Sequence, residues 1–561
     1  MTGIALKKIF ASVLLLAMLV ACGGGGGTSS SAPVTPVTPI APVTDQAEVC
    51  AVPRPAGTIN PLTNTAYGDV QGTLTDEMAW IASYVNTTYL WYADVPVVSS
   101  APYVIGATVP YVDPSDNSQS TETLTSNYEV VDAYFNSQRS PLVTASGKPK
   151  DQFHYTYPTS TWVSLSTQGS QAGFGFEIAL IEAAPPRRQA VVAYTSPGTV
   201  AAANNIQRGA QIVSINGVSV ANGTDLTTLN DGLFTPVANT AYTFVILDQG
   251  SSTPRTVTMT ATNVTLTPVM NVGTLPAPNN TTGYILYTDQ IATAEDELIA
   301  AVKQLNAANN GAGITDLVLD LRYNGGGYLD LASEFAYMIA GPTNTAGKTF
   351  EQDTYNNKNP FNLTTAETIV PFFNTTQGFS TTTPSGTALP QLGLSTVYIL
   401  TGAGTCSASE AIMNGLIGAG VRVVQIGATT CGKPYGFYPQ DNCSTTYFAI
   451  QFEGVNNVGF GAYADGFIPG GTGTTANNLP GCAAADDFTK QLGDPSEAVL
   501  ATALYYMGNN GQCPAAPLAL KSANRTATSS VNKHQAEPIL VRSPVRENRI
   551  LRQHPVINAI N

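Results

Sequence analysis

The 561 residues allow about three or four domains and a sizeable core, at roughly 150 residues per domain. Hydrophobic residues make up 43% and charged residues 11%, with 51 Gly and 37 Pro, which fits a turn-rich globular chain and argues against wholesale disorder. The net charge of −14 disfavours phosphate backbones and anionic lipid heads, and the three histidines (His154, His534, His554) leave almost no material for a His-rich metal site or a Ser/His/Asp triad.

Lys7 and Lys8 precede a short apolar run, Ile9 to Val20, which reads as a targeting segment too short for a comfortable membrane span. The run ends in Leu19-Val20-Ala21-Cys22 and resembles the lipobox of bacterial lipoproteins. That resemblance implies a signal peptide over 1–21 and lipidation of Cys22. It places the chain in a bacterial cell envelope, and the lack of Asp at position 23 favours the outer membrane, facing the periplasm or the exterior. Residues 22–49, rich in Gly, Ser, Thr and Pro, read as a tether.

Thr75 to Tyr92 predicts a helix opening on an N-cap-like Thr75, with Met78, Ile81, Val85 and Tyr89 on one face. Residues 50–155 are expected to form a helical N-terminal domain. From 165 to 268 short alternating runs separated by Gly, Pro and Asn predict a β-rich module. From 280 to 512 the pattern becomes βαβ: strands at Tyr284 to Tyr287, Ile314 to Leu321, Thr396 to Leu400 and Val421 to Ile426 alternate with helices at Ala292 to Asn306, Leu329 to Ile339 and Ser407 to Ile417. An Asn/Thr/Pro-rich insertion near 342–394 interrupts this mostly parallel sheet. The expected fold class is multidomain α+β: a helical region, a β-rich module and an interrupted α/β core. Residues 514–561 hold seven Lys/Arg against two Asp/Glu and read as a flexible basic tail on a more acidic body.

After Cys22, six cysteines remain, an even number that suggests bridges in an exported chain, with about 15 possible pairings. Cys431 and Cys443 flank a Gly/Pro-rich segment and are candidates for a local bridge, although the sequence does not fix the pairing. A zinc site is the weaker reading because no Cys-x-x-Cys pair occurs.

Three segments carry chemistry. Asp320-Leu321-Arg322-Tyr323-Asn324-Gly325-Gly326-Gly327 joins a buried strand to a helix, so its amides could cradle an anion; alone it reads first as a tight strand-to-helix turn. Lacking a P-loop ending or a dinucleotide spacing, it is a poor nucleotide site. Thr405 to Glu410 opens a helix after a strand. There the Ser407 hydroxyl meets backbone N–H groups and the helix dipole, and by itself Ser407 reads as an N-cap with Glu410 closing a capping box. Gly432-Lys433-Pro434 follows the next strand and could return an amine to the same sheet edge, where a partly desolvated lysine can act as a general base.

These motifs, in this order, resemble the C-terminal processing, or tail-specific, serine peptidases over roughly residues 75 to 510. The resemblance implies Ser407 as nucleophile, Lys433 as base, and oxyanion donors from Gly326 or Gly327 and from Ala408, with no cofactor and no metal. It also implies a PDZ module, whose carboxylate-binding loop Gly173-Phe174-Gly175-Phe176 resembles, followed by a later signature at Arg208 to Gly217 with Ala210 where Asp is usual. As a plain β turn, the same loop would supply two core aromatics. Implied partners are polypeptides with free C-termini and, through the anchor, a membrane; nucleic acid is not implied.

The Ser407 to Lys433 interval is one residue longer than the family's, Phe437 stands where a Gln commonly follows the Lys, and Gln440 lies three residues beyond. These departures keep open a catalytically inactive peptide- or ligand-binding lipoprotein with a peptidase-like fold. Cys406 as a thiol nucleophile is disfavoured by its expected bridging or burial, and His154 reads as structural.

Overall fold

The computed structural model describes residues 47–515, except 62–63, 115–116, 145, 381 and 471–476, and the backbone of 549–551. The signal segment, Cys22, most of the tether and most of the basic tail lie outside the described residues. Among the described residues, no helix is long and apolar enough to cross a membrane.

The βαβ pattern forms a six-stranded sheet in the order Val269–Thr274, Thr282–Tyr287, Asp316–Asp320, Thr396–Thr401, Arg422–Gly427 and Gly481–Ala483. Its first pair is antiparallel and the rest are parallel. Alternation along the strands divides two cores. Ile285, Tyr287, Leu317, Leu319, Val397, Ile399 and Val423 join the helices Ala294–Gly311, Leu329–Thr345 and Ala408–Gly418 on one face. Tyr284, Leu286, Val318, Tyr398, Leu400, Val424 and Ile426 pack against the helix Ala498–Gly508 on the other, together with Ala179, Ala193 and Tyr194 of the β-rich module.

That module is an antiparallel sheet in the order Arg255–Thr260, Ala241–Leu247, Gln211–Ile215, Gln189–Thr195, Phe176–Glu182. Its entry and exit segments, Ser170–Gly173 and Thr262–Thr265, pair antiparallel and close it at the neck. Arg208, buried, donates to Ala193 O at 2.6 Å within the module and ties it to the core by donating to Lys490 O at 3.0 Å and Tyr323 Oη at 2.6 Å, and by an ion pair with Asp486.

The N-terminal helix spans Leu74–Thr88 and is capped by Thr73 rather than Thr75. Only Thr73 has an acid three residues on: Thr73 Oγ1 accepts from Asp76 N at 3.3 Å, and the Asp76 carboxylate accepts the Thr73 N–H at 2.8 Å. Met78, Ile81, Val85 and Tyr89 are buried as the period requires. This region does not close on itself. Tyr155–Pro158 pairs with Thr445–Phe448, and Phe437, Tyr447, Phe448 and Ile450 complete its core.

The inserted segment is more ordered than its composition suggests. Thr349–Tyr355 pairs with Phe452–Val455, which pairs with Tyr435–Gly436 just beyond Lys433. The expected local bridge between Cys431 and Cys443 is not formed. The disulfides join Cys50 to Cys443, Cys406 to Cys431 and Cys482 to Cys513, because the docked N-terminal region brings Cys50 beside Cys443. The tail returns to the body as a short strand, Arg549–Leu551, parallel to Gly326–Tyr328.

Candidate active site

The Thr396–Thr401 strand delivers the chain to the sheet's C-terminal edge, and Ser407 forms the N-cap of the Ala408–Gly418 helix. Its φ of +64° and ψ of −121° lie where a side chain is strained, a cost of about 1–3 kcal/mol that persists only where surroundings hold it. Asn324 O accepts Cys406 N–H at 3.2 Å and Ser409 Oγ–H at 3.1 Å, while Thr405 Oγ1 donates to Leu321 O at 2.7 Å. The Ser407 turn is thus laced to the Gly loop.

Glu410 joins that turn to the lysine loop. Its carboxylate, fully buried, accepts Ser407 N–H at 2.9 Å, Lys433 N–H at 2.8 Å and Gly432 N–H at 2.9 Å, with Thr430 Oγ1 as a further donor. Burial pushes this carboxyl above the ordinary glutamate value, and the four donors oppose the shift. The Cys406–Cys431 bridge spans the same two segments covalently. The sequence identified Glu410 only as the end of a capping box; the signal for its second role was a carboxylate on a helix whose following strand leads to Lys433.

Ser407 and Lys433 are both fully buried. Lys433 Nζ lies 4.7 Å from the Phe153 ring centre and 4.1 Å from that of Phe437, the residue standing where Gln was expected. Ser407 Oγ is buried without a hydrogen-bond partner among the described residues.

On the Gly loop, burial would raise the Asp320 carboxyl, but the paired Arg322 guanidinium at 2.7 Å and Tyr284 Oη–H at 2.6 Å hold it below the ordinary range. Arg322 also reaches Asp486 at 2.8 Å and Glu497 at 2.9 Å. Beyond it, Gly326 N–H donates to Asn324 Oδ1 at 2.9 Å. Gly327 has φ +145°, and a Cβ there would sit 2.0 Å from Gln290 O. Ala408, the first residue of the Ala408–Gly418 helix, is buried.

The Gly173 to Phe176 loop lies apart from this centre, at one end of the β-rich module, and lines a pocket with Tyr194, Ser196, Leu233 and Phe234. Gly175 (φ +88°) passes so close to Thr199 that a Cβ would fall 2.2 Å from Thr199 Cβ. Phe174 is buried in the module core and stacks on the partly buried Phe176, beside the pocket. His154 is structural: its Nε2 meets Phe135 O at 3.0 Å, and its ring stacks on Phe135. Cys406, Glu410 and Cys431 lie close enough to share an ion, but the two sulfurs are joined and offer no thiolate.

A β-rich module is docked on an α/β core whose sheet edge carries the Ser407 turn, the Lys433 loop and the Gly loop. Residues 281–439 match the model of peptidase family S41 and residues 163–229 that of the PDZ domain. Over these two segments the chain is similar to the S41 peptidases and to PDZ domains. It is similar to a solved structure described as an S41 protease from Bacteroides fragilis, at 20% identity over 79% of this chain and 98% of that one, with a TM-score of 0.52. It is also similar to the photosystem II D1 C-terminal processing protease, at 18% identity over 71% and 92%, with a TM-score of 0.38. No curated protein matches the chain significantly.

Proposed function

We propose that the chain is a lipid-anchored serine endopeptidase, tethered through Cys22, that captures polypeptide C-termini on its PDZ domain and hydrolyses peptide bonds with Ser407 and Lys433. The observation that carries this reading is the convergence of the Ser407 and Lys433 amides on one buried carboxylate, Glu410, beside the Gly loop. Ser407 Oγ attacks the scissile carbonyl carbon, and its proton passes to Lys433 and then to the leaving amine. The amides of Gly327 and Ala408 support the oxyanion, and water then hydrolyses the acyl-enzyme, regenerating the Ser407 hydroxyl. A productive state requires Ser407 Oγ to rotate toward Nζ, since apo sites often tighten only with substrate bound.

Purified protein should cleave a polypeptide bearing a free unstructured C-terminus, and Ser407→Ala and Lys433→Ala should each reduce kcat by about 10³-fold or more. Equal cleavage by Ser407→Ala would reject the mechanism. Amidating the substrate's C-terminus should weaken binding; unchanged binding would remove the carboxylate-capture role of Gly173 to Phe176.

The unpartnered Ser407 Oγ and the Phe437 substitution favour a second reading, a catalytically silent peptide-binding lipoprotein. A fluorophosphonate probe separates the two: labelling at Ser407 requires an activated hydroxyl, and absence of labelling favours the silent protein.

A further inference from the structure

Gly326–Tyr328 is bonded along one edge to Gln290, which donates its N–H to Gly326 O at 3.1 Å and accepts Tyr328 N–H at 2.8 Å. Successive strand residues direct their backbone groups to opposite edges, so the N–H and C=O of Gly327 face away from Gln290. On that second edge runs the chain's own tail, with Gly326 opposite Arg549, Gly327 opposite Ile550 and Tyr328 opposite Leu551.

The position is notable for what else borders it. The tail strand lies against the Ala408–Gly418 helix, which begins at Ser407, and against Tyr435–Gly436, which begins two residues after Lys433. It is bracketed by the Gly loop, the nucleophile helix and the lysine loop together, and it covers the Gly327 amide.

We propose that the edge of Gly326–Tyr328 away from Gln290 is a docking surface for an extended polypeptide in parallel register, and that its resident occupant is the C-terminal segment centred on Ile550. The proposal builds on the reading of this cleft as a peptide site, but it concerns binding and does not depend on hydrolysis. Charge and length agree with it. Residues 514–561 carry seven Lys/Arg against two Asp/Glu on a chain of net charge −14, so the tail is attracted to the body that bears it. The stretch from Ala515 to Arg549, at roughly 3.3–3.6 Å per residue, can span on the order of 100 Å. A tether of this kind gives the segment an effective concentration that an untethered peptide must overcome.

The test uses the full-length chain carrying Ser407→Ala, unaltered or with Leu551→Pro alone or Leu551→Pro together with Ile550→Pro; Leu551→Pro removes the tail N–H that faces Gly327 O without touching the body. A fluorescein-labelled peptide of sequence 545–555 is titrated into each, and binding is read by fluorescence anisotropy. The proline variants are expected to bind the peptide about tenfold or more tightly than the unaltered tail, because the internal competitor has been weakened. Equal affinity for all three chains, or no binding by any, would overturn the proposal. An enzyme that failed every hydrolysis assay would still show the affinity difference, so failure here is distinguishable from failure of the peptidase reading.

Discussion

Oε2 of Glu410 accepts the backbone N–H of Lys433 at 2.8 Å, and the same oxygen accepts that of Ser407 at 2.9 Å. One buried acceptor therefore sets the separation of two chain segments on which the proposed chemistry depends. Glu410→Ala leaves four donors without their acceptor, and a misplacement of about 1 Å can cost about 10²-fold in rate. We expect kcat to fall by about that factor with KM little changed, and Glu410→Gln to recover part of it. Steady-state kinetics on one peptide substrate provide the check.

The Cys406–Cys431 bridge joins the same segments. Cys406→Ala/Cys431→Ala should lower stability by about 3 kcal/mol, from the chain-entropy account of a loop of this size, and should reduce kcat more than removal of the remote Cys482–Cys513 bridge does. Urea unfolding and kinetics on both double variants compare the two. A larger rate loss from the remote pair would contradict the positioning role.

Gly327→Ala is expected to disable the loop. Its φ of +145° is unfavourable for alanine, and the added Cβ would fall 2.0 Å from Gln290 O, a backbone atom with little room to retreat. Thermal unfolding should show a modest loss of stability while kcat/KM drops by about 10²-fold or more, consistent with loss of an oxyanion donor.

Glu334 offers a pH test away from the site. Burial, and then the neighbouring Glu295 carboxylate, push its carboxyl from an ordinary 4.5 to about 10. Between those values the folded state holds a proton that the unfolded state releases. The stabilisation from this proton is therefore full below about pH 4.5 and is lost as pH rises toward 10, at up to about 1.4 kcal/mol per unit. Glu334→Gln, which mimics the protonated form, should flatten the fall of stability between pH 6 and 9 in urea titrations. An unchanged slope would show that Glu334 is not the group responsible.

The parallel sheet was legible because its strands are apolar on both faces and its helices keep their period; Thr282–Tyr287 and Ala408–Gly418 fall within a few residues of expectation. Ser407 and Lys433 were legible as motifs at strand ends, where a sheet gathers loops from distant sequence. Cys50 and Cys443 were not, because their pairing depends on how the N-terminal region docks, and no local pattern records that. Nor was the second bond set of Glu410, since a capping box looks the same whether or not another loop shares its acid. The helical region appeared self-contained because helical periodicity shows which face is buried but not what buries it; Phe437 and Tyr447 supply that partner from beyond position 430.

The order of the bridges along the chain has a consequence for its synthesis. Among the described cysteines, Cys50 emerges first, yet its partner lies 393 residues later, and the Cys406–Cys431 pair is nested between them. Oxidation in order of emergence would join Cys50 to Cys406, trapping the residue that precedes Ser407 in a foreign link. Native pairing needs Cys50 to stay reduced until Cys443 arrives, or an exchange step in which a free thiolate attacks the wrong bridge and releases Cys406 to Cys431. A thiol–disulfide isomerase would therefore increase the yield of correctly assembled protein without altering any property of the finished molecule.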